Sequence, residues 1–369
     1  MLQTGMGVFY LFPLFVLEIG GNKADIGILM GSMSLASVCG RPWVSGLVDR
    51  IGRKNCLVTA CLLLMTVSVI HLFFNDTIDQ TFYVLMILRL IFGAGFALSI
   101  VAGLTMAADL VPASRLTEGI GYFGITPLVG IALGPIVAES LVHRWGFNAI
   151  FYTALALFIA AFLTLTPLRD QFTRTINTTV GDFFKALKIP LVWRMTVICL
   201  CFGVAFAAHS SFVAPFAQKN ALPVSVYFAS YSAAAILARI LGGYFAHRFG
   251  EIRLIPAALL IGGIGFLCLI AVSTTIGLMG TGFLAGMGHG LLFPSLFAVT
   301  IYPIAAGNRG KVSGALTGGF DTGVFIGALV MGQLGEIYGF SIIFGIAAAF
   351  IALGLGIFFR IRQTIFRHS

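Results

Sequence analysis

Gly40 to Asn55 reads GRPWVSGLVDRIGRKN, a stretch that joins two long apolar runs, Ile26 to Ser45 and Cys56 to Phe74. It packs Arg41, Asp49, Arg50, Arg53 and Lys54 into a few positions and punctuates them with Gly46 and Gly52. Charge is costly in hydrocarbon and cheap at its edge, so this pattern predicts a short basic hairpin between two membrane helices.

The rest of the chain agrees with that reading. Of 369 residues 59% are apolar and 9% charged, with a mean hydropathy of +1.03. Soluble domains carry about 25% charged residues, so an aqueous fold is excluded. The 45 glycines suit helices that approach closely where lipid provides no hydrophobic drive to associate.

A span needs about 20 predominantly apolar residues. By that rule helices are expected near 2–18, 26–45, 56–74, 81–107, 119–140 and 148–167. A second set is expected near 191–214, 224–245, 254–274, 277–300, 313–335 and 341–359. The expected organisation is an N-terminal six-helix bundle (1–167), a cytoplasmic linker (168–190) and a C-terminal bundle (191–369) with a short basic tail.

Lysine and arginine set the orientation. With a cytoplasmic amino terminus, sixteen of the 22 fall in the even-numbered connections and the tail, and only Lys23, Arg144 and Lys219 fall opposite. Arg41, Arg89 and Arg239 stay inside spans, and both termini are expected inside the cell. The net charge of +9 is then topology, with the tail resting on anionic lipid, and no nucleic-acid partner is implied.

The halves also repeat. A shift of 198 residues carries Arg41 onto Arg239, Arg50 onto Arg248 and Gly52 onto Gly250. A shift of 193 carries Gly121 onto Gly314, Gly134 onto Gly327 and Trp145-Gly146-Phe147 onto Tyr338-Gly339-Phe340. Two bundles related by an axis along the membrane normal follow.

The pattern Gly46, Asp49, Arg50, Gly52, Arg53 and Lys54 resembles the signature loop between the second and third helices of the major facilitator superfamily. The resemblance implies an all-α polytopic fold of twelve transmembrane helices in two six-helix bundles related by a pseudo-two-fold axis. It also implies a cytoplasmic gate in which Asp49 accepts from Arg115 or caps a helix of the other bundle. The second copy departs, with His247 and Glu251 at the places of Asp49 and Arg53.

Two further segments are similar to the drug/proton antiporter (efflux) branch. Arg89 lies inside the fourth span, four residues before Gly93, and either faces a partner or water path or snorkels to a helix end. Gly130, Gly134 and Pro135 match the glycine-proline motif of the fifth span, although Glu139 stands where a small residue is commoner.

Asp321, set in Gly-Gly-Phe-Asp-Thr-Gly well inside the eleventh span, is the leading candidate for proton exchange; the alternative is a permanent structural pair. His209 and His289 either relay protons or serve as hydrogen-bonded core residues. The six cysteines show neither a disulfide framework nor zinc spacing, and no phosphate-binding loop is present.

The expected protein is not an enzyme. It is a secondary transporter of a small organic molecule in the cytoplasmic membrane, cycling by alternating access as a monomer, with protons as coupling ion and no metal or cofactor. Proton-coupled efflux leads; uptake of an organic anion or sugar, and a lipid-handling or receptor role, are the alternatives.

Overall fold

Asn22 begins the second helix three residues earlier than hydropathy suggests, through a reciprocal cap. Its side chain accepts from the amides of Ala24 (2.8 Å) and Asp25 (3.1 Å), and its own amide donates to Asp25 Oδ2 at 2.9 Å. Such local bonds work outside the hydrocarbon as well as inside it. Helices in the computed structural model, which describes residues 1–74, 76–111, 116–168, 186–304 and 309–365, therefore mostly outrun the expected spans.

In chain order they are α1 (Leu2–Glu18), α2 (Lys23–Ile51), α3 (Arg53–His71), α4 (Ile78–Leu110), α5 (Leu116–Trp145) and α6 (Asn148–Leu165). The second set is α7 (Pro190–Lys219), α8 (Val224–Phe249), α9 (Glu251–Ala271), α10 (Thr275–Ile301), α11 (Arg309–Tyr338) and α12 (Phe340–Ile365). Among the described residues there is no strand, and ten helices are long and apolar enough to cross a membrane, with α1 a shorter apolar helix.

The basic hairpin is smaller than its sequence suggests. Gly40 to Ile51 is helical, and the turn into α3 is the single residue Gly52, at φ 92°. Gly250 makes the matching turn between α8 and α9 at φ 83°, where a side chain would be strained. Gly146 (72°) and Gly339 (84°), the pair related by 193 residues, do the same before α6 and α12.

The chain divides into two compact units, Met1–Val180 and Gly181–Ser369, and most of the expected linker lies outside the described residues. Each unit repeats one packing plan. In unit 1, α1 packs on α5 and α6, α4 on α2 and α3, and α3 on α6. Unit 2 pairs α7 with α11 and α12, α10 with α8 and α9, and α9 with α12. Both carry the same contact at one crossing: a Cβ on Gly93 would meet the Met33 carbonyl, and one on Gly286 the Tyr231 carbonyl.

The first helix of each unit is broken. In α1 a 3₁₀ turn, Phe9–Leu11, precedes Pro13; in α7 the helix stops at Ser211 and restarts at Val213, with Phe212 at φ −122° and ψ −14° between them. Interrupted spanning helices at corresponding positions of two repeats point to a binding place.

Candidate functional site

At the break in α1 the neighbours are cationic and soft. Gly93 lets α4 press against α2, which sets Arg89 opposite two methionines: its Nη2 donates to Met30 Sδ at 3.0 Å and Met33 Sδ at 3.3 Å. Phe12 and Phe92 lie 4.7 and 5.1 Å from the guanidinium carbon. Arg89 is 1% exposed, so it does not snorkel. Among the described residues no carboxylate lies within ion-pair distance of it, and its Nε and Nη1 have no hydrogen-bond partner.

His71, at the end of α3, borders the same aromatic wall. Its ring stacks on Phe151 at 4.6 Å and meets Phe12 edge-on at 5.6 Å and Phe9 at 6.0 Å. Its Nδ1 donates to the Val67 carbonyl at 2.7 Å, and its Nε2, fully buried, has no partner among the described residues. Sequence reasoning overlooked this residue, although it is a third histidine inside an expected span.

At the break in α7 the chemistry is a hydroxyl and imidazole cluster. His209, the last residues of whose helix end at Ser211, stacks on Tyr231 of α8 at 4.0 Å and lies 3.4 Å from the Tyr227 hydroxyl. Tyr231 in turn bonds His289 Nδ1 of α10 at 2.5 Å. Phe206 lies against both imidazoles, at 4.8 and 5.7 Å. The glycine stripe of α10 produces this arrangement, because Gly282 and Gly286 seat the helix on the Tyr227 and Tyr231 backbone.

Asp321 is 6% exposed in α11, a helix drawn onto α7 by Gly319 and Gly323. The preceding Phe320 packs on Phe202, Phe206 and Phe293, three rings that also touch His289. Thus His209 and His289 share one cluster, Asp321 follows a ring bordering it, and Arg89 belongs to unit 1.

The basic motif is tied down within unit 1. Arg53 Nε lies 2.8 Å from Asp109 Oδ2 at the end of α4, a contact of charge without the alignment of a hydrogen bond, and Lys54 Nζ donates to the Thr166 carbonyl at 2.7 Å. Arg50 is exposed and Gly46 half-buried. The Asp49 side chain and Arg115 lie outside the described residues.

The α5 motif closes on α1 just before its break. A Cβ on Gly130 would meet the Gln3 carbonyl, and one on Gly134 the backbone of Gly7 and Val8; Pro135 follows inside the helix. On the outer side of α6, Trp145 and Tyr152 border an apolar groove and are well exposed, as suits aromatic rings at a lipid interface.

The family model described as Major Facilitator Superfamily matches residues 1–224 and again 220–365. The chain is 25% identical over 363 residues to the "Multidrug resistance protein MdtG" of Klebsiella pneumoniae (strain 342), covering 93% of this chain and 86% of the relative. It is also 25% identical over 353 residues to the "Quinolone resistance protein NorA" of Staphylococcus aureus (strain COL), covering 90% and 87%. Among solved structures, the nucleoside transporter NupG shares the fold with a TM-score of 0.79 at 15% identity, over 97% of this chain and 96% of that one. With its apolar helices, paired units and twofold match, this multi-pass membrane protein belongs to the Major Facilitator Superfamily of transporters.

Proposed function

We propose that the protein exports a small organic molecule against proton entry, by alternating access, from the cytoplasmic membrane with both termini in the cytoplasm. The observation that carries this reading is similarity, over nine-tenths of the chain, to two resistance proteins, MdtG and NorA. Support comes from the titratable groups buried in unit 2. An aspartate and two histidines lie buried inside apolar helices, where ionisable side chains often mark proton or ligand paths, and Tyr231 joins the two imidazoles, its hydroxyl bonding His289 and its ring stacking on His209.

In this mechanism Asp321 carries the coupling proton, His209 and His289 relay it, and Arg89 engages cargo or its release. The Asp49 motif with Arg53 and Lys54 gates the cytoplasmic side. A monomer suffices, with lipid and protons as the other partners.

The test is proton exchange by purified protein titrated with cationic, anionic and neutral ligands, wild type beside Asp321→Asn. Ligand-induced proton release that vanishes in the variant supports antiport; binding without proton exchange in either protein defeats it. The second reading, uptake of an organic anion, is favoured by one observation, the absence of a carboxylate beside Arg89 among the described residues.

A further inference from the structure

Arg89 is held by the weakest partners a guanidinium can have. Thioether sulfur is a poor acceptor and aromatic faces offer no lone pair, and two of its three nitrogens are buried with nothing among the described residues to donate to. Removing a cation from water with so little compensation is costly unless an anion arrives at some point in the working cycle.

His71 supplies the complement. Because a carbonyl only accepts, the bond to Val67 places the proton of the neutral ring on Nδ1 and leaves Nε2 as an acceptor. Phe12 contacts both Arg89 and His71, while Phe9, in the α1 break, touches both His71 and Phe92. Two unused donor nitrogens and one unused acceptor therefore border one aromatic wall beside an interrupted helix. The cover is movable: Met33 is part-exposed, and methionine swings on three rotatable bonds.

We propose that Arg89 and His71 form a receptor for the acid end of the cargo, an organic carboxylate with a hydrogen-bond donor beside it, of which an α-hydroxy acid is the simplest. The carboxylate displaces the methionine sulfurs and takes the guanidinium N–H groups, a charge-assisted pairing, and the adjacent hydroxyl donates to His71 Nε2. No bond is made or broken. The inference rests on the transport reading, holds for either direction of transport, and names the cargo class that reading leaves open.

The test uses the full-length protein in lipid nanodiscs with three probes: phenylacetate, mandelate (the same acid with an α-hydroxyl) and phenethylamine. Dissociation constants are read from ligand-induced thermal shifts. Phenylacetate is expected to bind wild type and to weaken about tenfold or more in Arg89→Gln, with Arg89→Lys intermediate as a folded control that keeps the charge. Mandelate is expected to bind about fivefold tighter than phenylacetate, and His71→Phe, which preserves the ring packing, to erase that preference while leaving phenylacetate within about twofold.

Equal phenylacetate affinity in wild type and both Arg89 variants overturns the proposal. So does a mandelate preference that survives in His71→Phe. A wild-type protein that binds phenethylamine but neither acid overturns the proposal alone. One that binds none of the three, and moves none into proteoliposomes, overturns it and counts against the transport reading as well.

Discussion

Beside the break in α1 stand Arg89, His71 and two thioethers; beside the break in α7 stand His209, His289 and two tyrosine hydroxyls. The helix framework around them is the same. The 198-residue shift carries Met33 onto Tyr231, and each is the residue on whose carbonyl a glycine of the crossing helix sits. One copy presents a sulfur to a guanidinium, and the other presents a hydroxyl to an imidazole. A repeated scaffold has thus kept its backbone crossings, which admit only glycine, while its side chains diverged into a buried cation beside thioethers and a cluster of imidazoles and hydroxyls.

The largest effect that would break this comparison is functional. In proteoliposomes with an imposed pH gradient, Asp321→Asn is expected to abolish uphill transport while substrate counterflow persists; unchanged uphill transport would remove unit 2 from the coupling step. Next come the shared crossings. Gly93→Ala and Gly286→Ala each drive a methyl group into a backbone carbonyl, and each is expected to destabilise by about 1–3 kcal/mol in thermal unfolding; a loss in one alone would mean the two sites are not equivalent.

Tyr231→Phe sharpens the contrast between the clusters. It leaves His289 Nδ1 buried without its hydroxyl partner, at an expected cost of about 1 kcal/mol, whereas Met33→Leu in unit 1 removes only a weak acceptor and should cost less in the same assay. The smallest effect concerns the turns after the broken helices. Gly20 adopts φ 90°, but its counterpart after α7 is Ala221 at φ 53°, a conformation that strains a Cβ. Ala221→Gly is expected to raise stability by about 0.5–1 kcal/mol and Gly20→Ala to lower it by a similar amount, measured as shifts in melting temperature.

Hydropathy made the spans legible because the cost of charge in lipid is written residue by residue, and the same cost singled out Arg89, Asp321, His209 and His289. The ends of the helices were less legible. Beyond the hydrocarbon, a helix continues until a cap or a left-handed glycine stops it, as at Asn22 and Gly52, and neither signal is hydrophobic. His71 was missed for a related reason: it stands near the end of its apolar run, and only the aromatic rings of α1 and α6 show that it is buried.

By itself, then, the sequence determined the class, the apolar spans, the repeat and the expensive polar residues, since each follows from local composition and spacing. Which of those residues meet was decided by tertiary structure alone. The rotational phase of each helix is set where glycines of α4, α5, α10 and α11 seat on neighbouring backbones, and those crossings are contacts between residues far apart in the chain. That phase puts Tyr231 against His289 and, among the described residues, gives Arg89 sulfur instead of a carboxylate and leaves His71 Nε2 open beside the break in α1.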